Sequence, residues 1–343
     1  MRKFDKLAAL ALSGALALGL AACGGSGTAE TPASGTESPA AGTESPAAEG
    51  TVYTVGICQQ MQHPALDEAT RGFIETLEEK LGTSVDISEQ NASGDTANCT
   101  TIVNNFVSQG VDLILCNGTT ALQAAVAATG DIPILGTSIT EYGVALGLDG
   151  FDGTTGMNVS GTSDLAPLDQ QAAMIQEWFP EAQNVGLLYC SAEPNSDYQV
   201  QTVKGYLEEM GYTCTEYAFS DSNDLSAVAT TACAESDVIY IPTDNTAATN
   251  AELIGNIAVP AGVPIIAGEE GICSGCGVAT LTINYYDLGC QTAEMAYEIL
   301  VNGADPATME IAYAPNFTAK YNAANCEALG LTPPEGYEAI ETE

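Results

Sequence analysis

The chain has 343 residues, with 45 Asp and Glu against 7 Lys and Arg, so its formal net charge is −38 at pH 7. A field of this sign makes nucleic acid, anionic lipid headgroups and polyphosphates poor partners, and we predict no nucleic-acid partner. The length exceeds the size at which one hydrophobic core usually divides into two.

The N-terminus is typical of an export signal. Three cations among the first six residues precede an apolar run over 7–22 that ends at Cys23. The run is too short to span a bilayer comfortably and ends in small residues, as secretory signals do. The tetrapeptide Leu-Ala-Ala-Cys resembles the bacterial lipobox. We therefore expect a lipoprotein signal peptide over 1–22 and lipidation of Cys23; an ordinary signal peptide with an incidental cysteine is the alternative.

Residues 23–50 are predicted to be the lipidated cysteine and a disordered linker. No large apolar residue occurs from 24 to 50, and the heptapeptide GTESPAA occurs there twice in tandem. Such a segment buries too little surface to offset the entropy of ordering. We expect an exported protein, lipid-anchored to the outer face of the bacterial cytoplasmic membrane and touching the membrane through this anchor only.

Beyond residue 50 the sequence alternates β-runs and helices. The predicted strands cover 52–58, 84–88, 111–116, 132–136, 157–161, 184–190, 212–218, 237–242, 263–267 and 278–283. The predicted helices cover 64–81, 95–109, 119–129, 167–179, 195–210, 224–234 and 246–258. Long helices between β-runs without polar alternation favour parallel sheets covered on both faces.

The two halves of this region share one plan. Residues 111–138 and 236–270 each contain a buried strand, a polar loop, a helix of small residues and a strand led by proline. The predicted fold class is therefore α/β, with two similar lobes. In open parallel sheets ligands bind at the carboxyl ends of the strands, so we expect a small-molecule cleft between the two polar edges.

Polar side chains follow the strands at this predicted edge. The stretch VGICQQMQHPALDEATRGF (55–73) runs from a strand into a helix, and its loop holds Gln59 and the only histidine, His63, before Pro64. Proline suits the first position of a helix. The same edge is predicted to carry 117–120, 138–141, 191–196, 243–246 and 268–270.

Motifs for catalysis are missing from the sequence. A nucleophile needs a neighbouring base, and His63 precedes a proline at a helix start, where a capping or pocket-lining role is the ordinary interpretation. The sequence has no G-x-S-x-G, G-x-G-x-x-G or G-x-x-x-x-G-K-[ST] motif. The pair Glu269-Glu270 suits acid–base work, a solvated surface or an ammonium contact. We predict no enzymatic activity, no catalytic residue and no cofactor.

Ten cysteines follow Cys23, including the CxxC pair Cys273 and Cys276. Outside the cell an even number permits disulfides, but cysteines within apolar strands commonly act as small hydrophobic residues. A zinc site would need two further ligands beyond the pair. Free thiols and disulfides both remain open, and we predict no metal site.

The scarcity of cations limits what the cleft binds. Four cations follow Cys23, and only Arg71 lies within two helical turns of a predicted cleft loop. A ligand carboxylate must then rest on hydroxyls, amides and helix N-termini, here those opening at 119–120 and 195–196. An ammonium group has the acceptors Asp244, Glu141 and Glu269, although 244–246 is also an ordinary N-cap sequence. A zwitterion fits this inventory.

Five stretches resemble one known family. They are residues 55–73, NVSGTSDLAPLDQQAAMI (158–175), VGLLYCSAEPNSDYQVQ (185–201), IPTDNTAAT (241–249) and NYYDLG (284–289). In order and spacing they are similar to the solute-binding lipoproteins of ABC importers, in the group with tryptophan- and tyrosine-binding members. The resemblance covers nearly all of 52–335.

The resemblance implies a type I periplasmic-binding-protein fold whose lobes are hinged by three crossovers, near 163, 284 and 312. The expected N-terminal lobe is 51–163 plus 285–311, and the expected C-terminal lobe is 164–284 plus 312–343. The pocket residues carried over are Gln59, Thr119, Thr140, Ser191, Asn195, Ser196, Asp244 and Asn245, to which we add Thr120, Glu141 and Glu269. Ring partners for an aromatic ligand would be Tyr142, Phe151, Tyr198, Tyr285 and Tyr286. The sequence departs from the family between Gly268 and Cys276, which leaves the ligand's identity open.

These expectations lead to one function and its rivals. The resemblance implies the extracellular solute-binding component of an ABC importer, a monomer that captures a zwitterionic ligand, namely an aromatic amino acid such as tryptophan or tyrosine. Its partners would be the permease and ATPase subunits. The alternatives are a surface signalling or adhesion receptor on the same fold, a different solute such as a branched-chain amino acid or nucleoside, and an enzyme built on the cleft.

Overall fold

The computed structural model describes residues 50–341; the predicted signal peptide, the lipidated Cys23 and nearly all of the predicted linker lie outside them. The strands are β1 (Tyr53–Gln59), β2 (Val85–Asn91), β3 (Leu113–Asn117), β4 (Ile134–Ile139), β5 (Val159–Ser163), β6 (Asn184–Cys190), β7 (Thr213–Phe219), β8 (Val238–Ile241), β9 (Ile265–Ala267), β10 (Ala279–Thr282), β11 (Ala312–Tyr313), β12 (Thr318–Tyr321) and β13 (Glu338–Ala339).

The α-helices are α1 (Pro64–Leu81), α2 (Thr96–Gln109), α3 (Thr119–Ala128), α4 (Tyr142–Leu146), α5 (Leu168–Trp178), α6 (Pro194–Glu209), α7 (Ser222–Glu235), α8 (Asn245–Thr249), α9 (Ala251–Ala261), α10 (Glu270–Gly275), α11 (Tyr285–Leu300) and α12 (Ala323–Leu329). Single turns of 3-10 helix cover Gly82–Ser84 and Pro306–Thr308. None of the helices within 50–341 is long and apolar enough to cross a membrane.

The strands form two sheets. The first has the order β11-β5-β4-β3-β1-β2, and every neighbouring pair in it is parallel. The second has the order β13-β12-β10-β9-β8-β6-β7 and is parallel except between β10 and β12. The predicted α/β class with two similar, mainly parallel sheets is confirmed.

Each sheet is buried on both faces, which is why its central strands are apolar without alternation. In the first lobe, Phe106 of α2 and Leu122 of α3 cover one face, and Phe73 of α1 covers the other. In the second lobe α7 and α9 cover one face, while α5, α6 and α12 cover the other. Each fully buried Phe or Leu side chain contributes about 1.5–3 kcal/mol relative to an exposed one.

Helix α11 lies in the first lobe although it follows the second lobe's strands in sequence. It packs closely on α1 through two glycines. A Cβ atom at Gly72 would lie 2.1 Å from the carbonyl oxygen of Tyr286, and one at Gly289 would lie 2.0 Å from that of Ala69. Larger residues at either glycine would force the helices apart.

The chain passes between the lobes three times, between β5 and α5, between β10 and α11, and between β11 and β12. The first passage follows Ser163 and the second precedes Tyr285. For the third, the sequence placed residue 312 in the C-terminal lobe, but Ala312 and Tyr313 pair with Thr162 and Ser163 of the first sheet. The chain therefore leaves the first sheet after Tyr313.

One predicted helix is in fact two helices. The sequence indicated a single helix over 246–258, whereas the structure has α8 and α9 separated at Asn250, whose backbone is not helical. The Asn250 side-chain amide donates to the carbonyl oxygen of Thr246 at 2.8 Å. Asparagine competes for backbone groups in this way, which is why it favours helix ends over helix interiors.

Candidate functional site

The carboxyl ends of the two sheets face each other, and we call the buried region between them the cleft. From the first lobe it receives the loops after β1, β3 and β4; from the second it receives those after β6, β8 and β9. The ring Nε2 of His63 lies 3.0 Å from Oδ1 of Asn245, and Met61 contacts Thr249. These contacts join the two lobes, so the structure describes a closed cleft.

The glutamines after β1 fasten the first lobe's loops. The Gln59 amide donates to the carbonyl oxygen of Met61 at 2.8 Å and to Asp67 at 2.6 Å, and its Oε1 accepts from the Thr70 hydroxyl at 2.6 Å. Gln60 Oε1 accepts from the backbone N–H of Thr120 at 2.8 Å, at the start of α3. Both glutamines therefore hold the loop, and the polar atoms of Gln59 are already occupied.

In the second lobe the buried carboxylate of Glu193 fastens the loop after β8. Glu193 Oε2 accepts from the backbone N–H of Asn245 at 3.1 Å and from its side-chain amide at 2.7 Å. Its Oε1 accepts from the backbone N–H and hydroxyl of Thr246, at 2.9 and 2.7 Å. The sequence placed Glu193 within the predicted cleft loop 191–196 but did not single it out, because one glutamate directly before a helix carries no distinctive signal.

His63 connects this carboxylate to the first lobe. Because the Asn245 amide nitrogen donates to Glu193, its Oδ1 must accept from Nε2–H of His63. Burial lowers the pKa of His63 below its usual value, so the ring is neutral. A neutral ring that donates from Nε2 has an acceptor at Nδ1, and this atom is buried without a partner.

The three acids that the sequence offered to a ligand's ammonium group are helix N-caps. Asp244 accepts from the backbone N–H groups of Ala247 at 2.7 Å and Cys190 at 2.6 Å. Glu269 accepts from two amides at the start of α10, and Glu141 accepts from one at the start of α4. Burial raises the pKa of Glu269 to about 7, and burial together with the adjacent Glu193 carboxylate raises that of Asp244.

Asp164, in the first crossover, was not among the predicted site residues. Its Oδ2 accepts from the Tyr285 hydroxyl at 3.1 Å, and burial raises the pKa of its carboxyl to about 6. An acid directly after the β-run ending at Ser163 is the signal that could have identified it, because that run ends at the ligand-binding edge of the sheet.

The other predicted site residues divide between the cleft and its surroundings. Thr119 and Thr140 are buried at the ends of the first lobe's strands, and Thr120 follows on α3. Asn195 and Ser196 are buried at the start of α6, where the Asn195 amide donates to the carbonyl oxygen of Thr243 at 3.1 Å. Ser191 is exposed, and its hydroxyl donates to the carbonyl oxygen of Phe219, the last residue of β7, at 3.1 Å.

Buried polar atoms without a hydrogen-bond partner concentrate at the cleft. Seven such side-chain atoms occur within residues 50–341, and five of them lie at the carboxyl ends of strands, at the helix starts that follow strands, or in the first crossover. These five are His63 Nδ1, Asn117 Oδ1, Ser138 Oγ, Asp164 Oδ1 and Asn195 Oδ1. Since buried polar groups are normally paired, the cleft has unused acceptor capacity that a donor-bearing ligand would satisfy.

The predicted ring partners are unevenly placed. Tyr142 is buried in the first lobe's core and Phe151 packs against that core. Tyr286 lies on the outer surface, where Arg71 stacks on its ring. Tyr285 reaches Asp164 and Tyr198 lies near Glu141, so these two tyrosines are the ring candidates at the cleft.

A groove of about 1030 Å³ lies beside the crossovers, between α1 and the second lobe. Acidic residues line much of it, and Glu269 and Tyr285 belong both to its wall and to the cleft. The cations within 50–341 pair with acids: Arg71 with Glu68 and Glu75, Lys80 with Glu294, Lys204 with Glu216 and Lys320 with Glu270. This acidic surround disfavours a multiply anionic solute.

The cysteines contribute no metal cluster to the described part of the chain. All ten cysteines after residue 50 are unpaired thiols, and most are buried. Cys273 and Cys276 lie in the second lobe's core, where burial raises the pKa of both thiols. Between residues 50 and 341 no group of three or more His, Cys, Asp or Glu side chains is arranged to hold a metal ion.

Comparison with known proteins gives a consistent result. A family model described as ABC transporter substrate binding protein matches residues 54–340. A protein named tyrosine-binding protein from Clostridioides difficile (strain R20291) is 36% identical over 252 residues, which is 72% of each chain. A Streptococcus pneumoniae ABC domain solved in complex with L-Trp is 30% identical with a TM-score of 0.80, covering 84% of this chain and 100% of that one.

A third comparison bears on the cleft. A Clostridium difficile substrate-binding protein with adhesive properties, solved in a ligand-free, open form, is 35% identical. It covers 85% of this chain and 100% of its own, with a TM-score of 0.66. The present structure is thus more similar to the L-Trp complex than to the open form, despite the lower sequence identity, in agreement with the contacts between its lobes. The type I periplasmic-binding-protein fold is confirmed.

Proposed function

The chain belongs to the ABC transporter substrate-binding protein family, and from that premise we propose that it captures a free aromatic amino acid, tyrosine or tryptophan, for import. The observation that carries the proposal is the set of unpartnered buried acceptors in the cleft. The ammonium group of an amino acid supplies donors to such acceptors. The names of the tyrosine-binding relative and of the L-Trp complex support the choice of an aromatic side chain.

The carboxylate of the amino acid would lie at the start of α3. The first turns of α8 and α10 are occupied by Glu193, Asp244 and Glu269. Helix α3 begins after Gly118 with no carboxylate cap, and its first residues are Thr119 and Thr120. The Gln60 amide oxygen already accepts the N–H of Thr120, so the ligand would use the other donors of this first turn. Hydroxyls and backbone N–H groups at a helix N-terminus suit an anion without requiring an arginine or lysine.

Calorimetric titration of the exported form against a panel of amino acids tests this function. We expect one site of micromolar or tighter affinity for L-tyrosine or L-tryptophan, weaker binding of leucine and no measurable binding of glutamate. The recovered ligand should be chemically unchanged, as a non-enzymatic role requires. Tight binding of leucine or a nucleoside with no response to either aromatic amino acid would reject the proposal.

We also propose that the protein is a monomer held at the outer face of the cytoplasmic membrane by lipid on Cys23, where it delivers ligand to permease and ATPase subunits. The lipobox-like sequence before Cys23 and the tandem-repeat linker support the anchor. Cys23→Ser should move the protein from the membrane fraction to the medium without changing its affinity. A variant that remains with the membranes would contradict the lipid assignment.

Adhesion is the second candidate, because one of the matched structures is described as having adhesive properties. The two roles separate when ligand uptake and surface attachment are measured in the same cells. Loss of uptake without loss of attachment on deleting the chain favours import, and the reverse favours adhesion.

A further inference from the structure

The two carboxylate oxygens of Asp164 have different surroundings. Oδ2 accepts the hydroxyl of Tyr285 at 3.1 Å, whereas Oδ1 has no partner. The side chain is only 4% exposed. Leaving a buried charged oxygen unpaired is costly, so a native structure normally supplies a donor to it.

The groups around Asp164 do not supply a positive charge. The hydroxyls of Thr140 and Tyr285 face its carboxyl, and Tyr142 of α4 and Glu269 at the start of α10 lie near enough to interact with it electrostatically. The described cations are paired with acids elsewhere. A ligand is therefore the available source of a cationic donor.

We propose that Asp164 holds the ammonium group of the bound ligand, which donates a hydrogen bond to Oδ1. This inference rests on the proposed function and specifies its site. It also reassigns the ammonium from Asp244, whose two oxygens already accept the backbone N–H groups of Ala247 and Cys190. Asp164 is thereby the residue that selects solutes carrying an amine.

A second unpartnered acceptor lies in the same neighbourhood. The Asn195 amide donates to the carbonyl oxygen of Thr243, the Thr243 hydroxyl lies against Tyr285, and Tyr285 donates to Asp164. Asn195 Oδ1 is itself buried and unpaired. An ammonium group has three N–H donors, so it has capacity for Asn195 Oδ1 as well as Asp164 Oδ1.

The test compares L-tyrosine with 3-(4-hydroxyphenyl)propionate, which lacks only the amine, by calorimetry on the wild type and on Asp164→Asn. We expect the wild type to prefer L-tyrosine by on the order of 100-fold, because removing one partner of a buried charge pair has an effect of this size. In Asp164→Asn most of that preference should disappear. If the preference survives the substitution while L-tyrosine still binds, the inference is overturned and the proposed function stands.

Two further variants make the comparison specific. Asp149→Asn removes the same charge from an exposed position and should leave both affinities unchanged. Asp244→Asn should lower the affinity for both ligands to a similar extent, since the Asp244 carboxylate caps α8. If the preference for the amine is lost in Asp244→Asn and kept in Asp164→Asn, then Asp244 holds the ammonium group and the inference is overturned. If the wild type binds L-tryptophan instead of L-tyrosine, the same comparison uses L-tryptophan and indole-3-propionate. A wild type that binds neither aromatic amino acid would overturn the proposed function together with this inference.

The pH dependence of the wild type provides a measurement that does not depend on a variant folding. An ammonium partner favours ionised Asp164, whereas the amine-free analogue leaves that buried carboxyl unpaired and favours its protonated form. The preference for L-tyrosine should therefore shrink by about tenfold between pH 7.5 and 5.5. Burial raises the pKa of Glu269 and of Asp244 to about 7, so both carboxyls also change protonation in this range. Neither holds the ammonium group in the proposed arrangement, so both affect the two ligands alike and their contributions cancel in the ratio. A ratio independent of pH would contradict an ionic contact at Asp164.

Discussion

The two walls of the cleft come from similar lobes but are stabilised by different chemistry. In the second lobe, the carboxylates of Glu193, Asp244 and Glu269 accept the backbone N–H groups of their loops and helix starts. In the first lobe, Gln59 and Gln60 do the corresponding work with neutral amides. Hydrogen bonds to an ionised acceptor are roughly twice as strong as neutral ones. Matching topology therefore does not imply matching energetics or matching contacts to a ligand.

This difference also assigns the parts of the ligand. Carboxylates that occupy the starts of α8 and α10 make these parts of the second lobe unsuitable for an anion. The first lobe keeps the start of α3 free of acid, and the crossover supplies Asp164. Under the proposed function, this asymmetry would orient a zwitterion with its carboxylate toward the first lobe and its ammonium toward the crossover.

The largest expected effect on stability comes from removing the Glu193 carboxylate, which lies in the wall of the cleft that the second lobe forms. Glu193→Ala leaves four donor groups, two of buried Asn245 and two of half-buried Thr246, without their acceptor. We expect a loss of about 4 kcal/mol in the free energy of unfolding, because each buried unsatisfied group costs about 1–3 kcal/mol and the groups are not independent. Urea denaturation followed by circular dichroism measures it.

A matched control lies at the far end of α6, the helix that Glu193 directly precedes. Glu209 is exposed at the end of α6, and Glu209→Ala should change the free energy of unfolding by less than about 0.5 kcal/mol. A Glu193→Ala variant no less stable than Glu209→Ala would show that the second wall does not depend on its buried charge.

The corresponding substitution in the first wall should have a smaller effect. Gln59→Ala removes hydrogen bonds to Met61, Asp67 and Thr70. We expect a loss of about 2 kcal/mol in the free energy of unfolding, because the acceptor that is lost is neutral and Asp67 is partly accessible to water. Gln62→Ala, three positions along and exposed, should change it by less than about 0.5 kcal/mol. A larger loss at Gln59 than at Glu193 would reverse the comparison between the walls.

Most of the fold follows from the sequence because apolar periodicity and turn residues are local signals. The helix predicted over 64–81 and the strand predicted over 184–190 have the observed bounds. The break at Asn250 was missed because an asparagine within an apolar helix pattern is ambiguous without its hydrogen-bond partner. Strand β11 was missed because two residues are too short to show a period, and only pairing with β5 defines them.

The chemistry of the site was less accessible to sequence reasoning. Placing polar loops at the strand ends brought the right segments together, yet the sequence does not show which oxygen of a carboxylate is already occupied. Asp244 and Asp164 are both acids that follow strands, and only the amides around Asp244 distinguish a helix cap from a free acceptor. That distinction depends on three-dimensional contacts between distant segments, such as Asp164 with Tyr285.

The smallest expected effect concerns the contact that joins the walls. His63 donates to Asn245 across the cleft, and only a closed arrangement of the lobes permits this hydrogen bond. A net hydrogen bond contributes about 1 kcal/mol, so His63→Ala should raise the Kd for the amino acid about fivefold in calorimetry, with Gln62→Ala unchanged. An unaltered Kd would mean that the bond between the lobes does not form in the ligand complex. A loss well beyond tenfold would mean that the ligand also donates to Nδ1, the ring atom that is buried without a partner, so that His63 joins the lobes and contacts the solute at once.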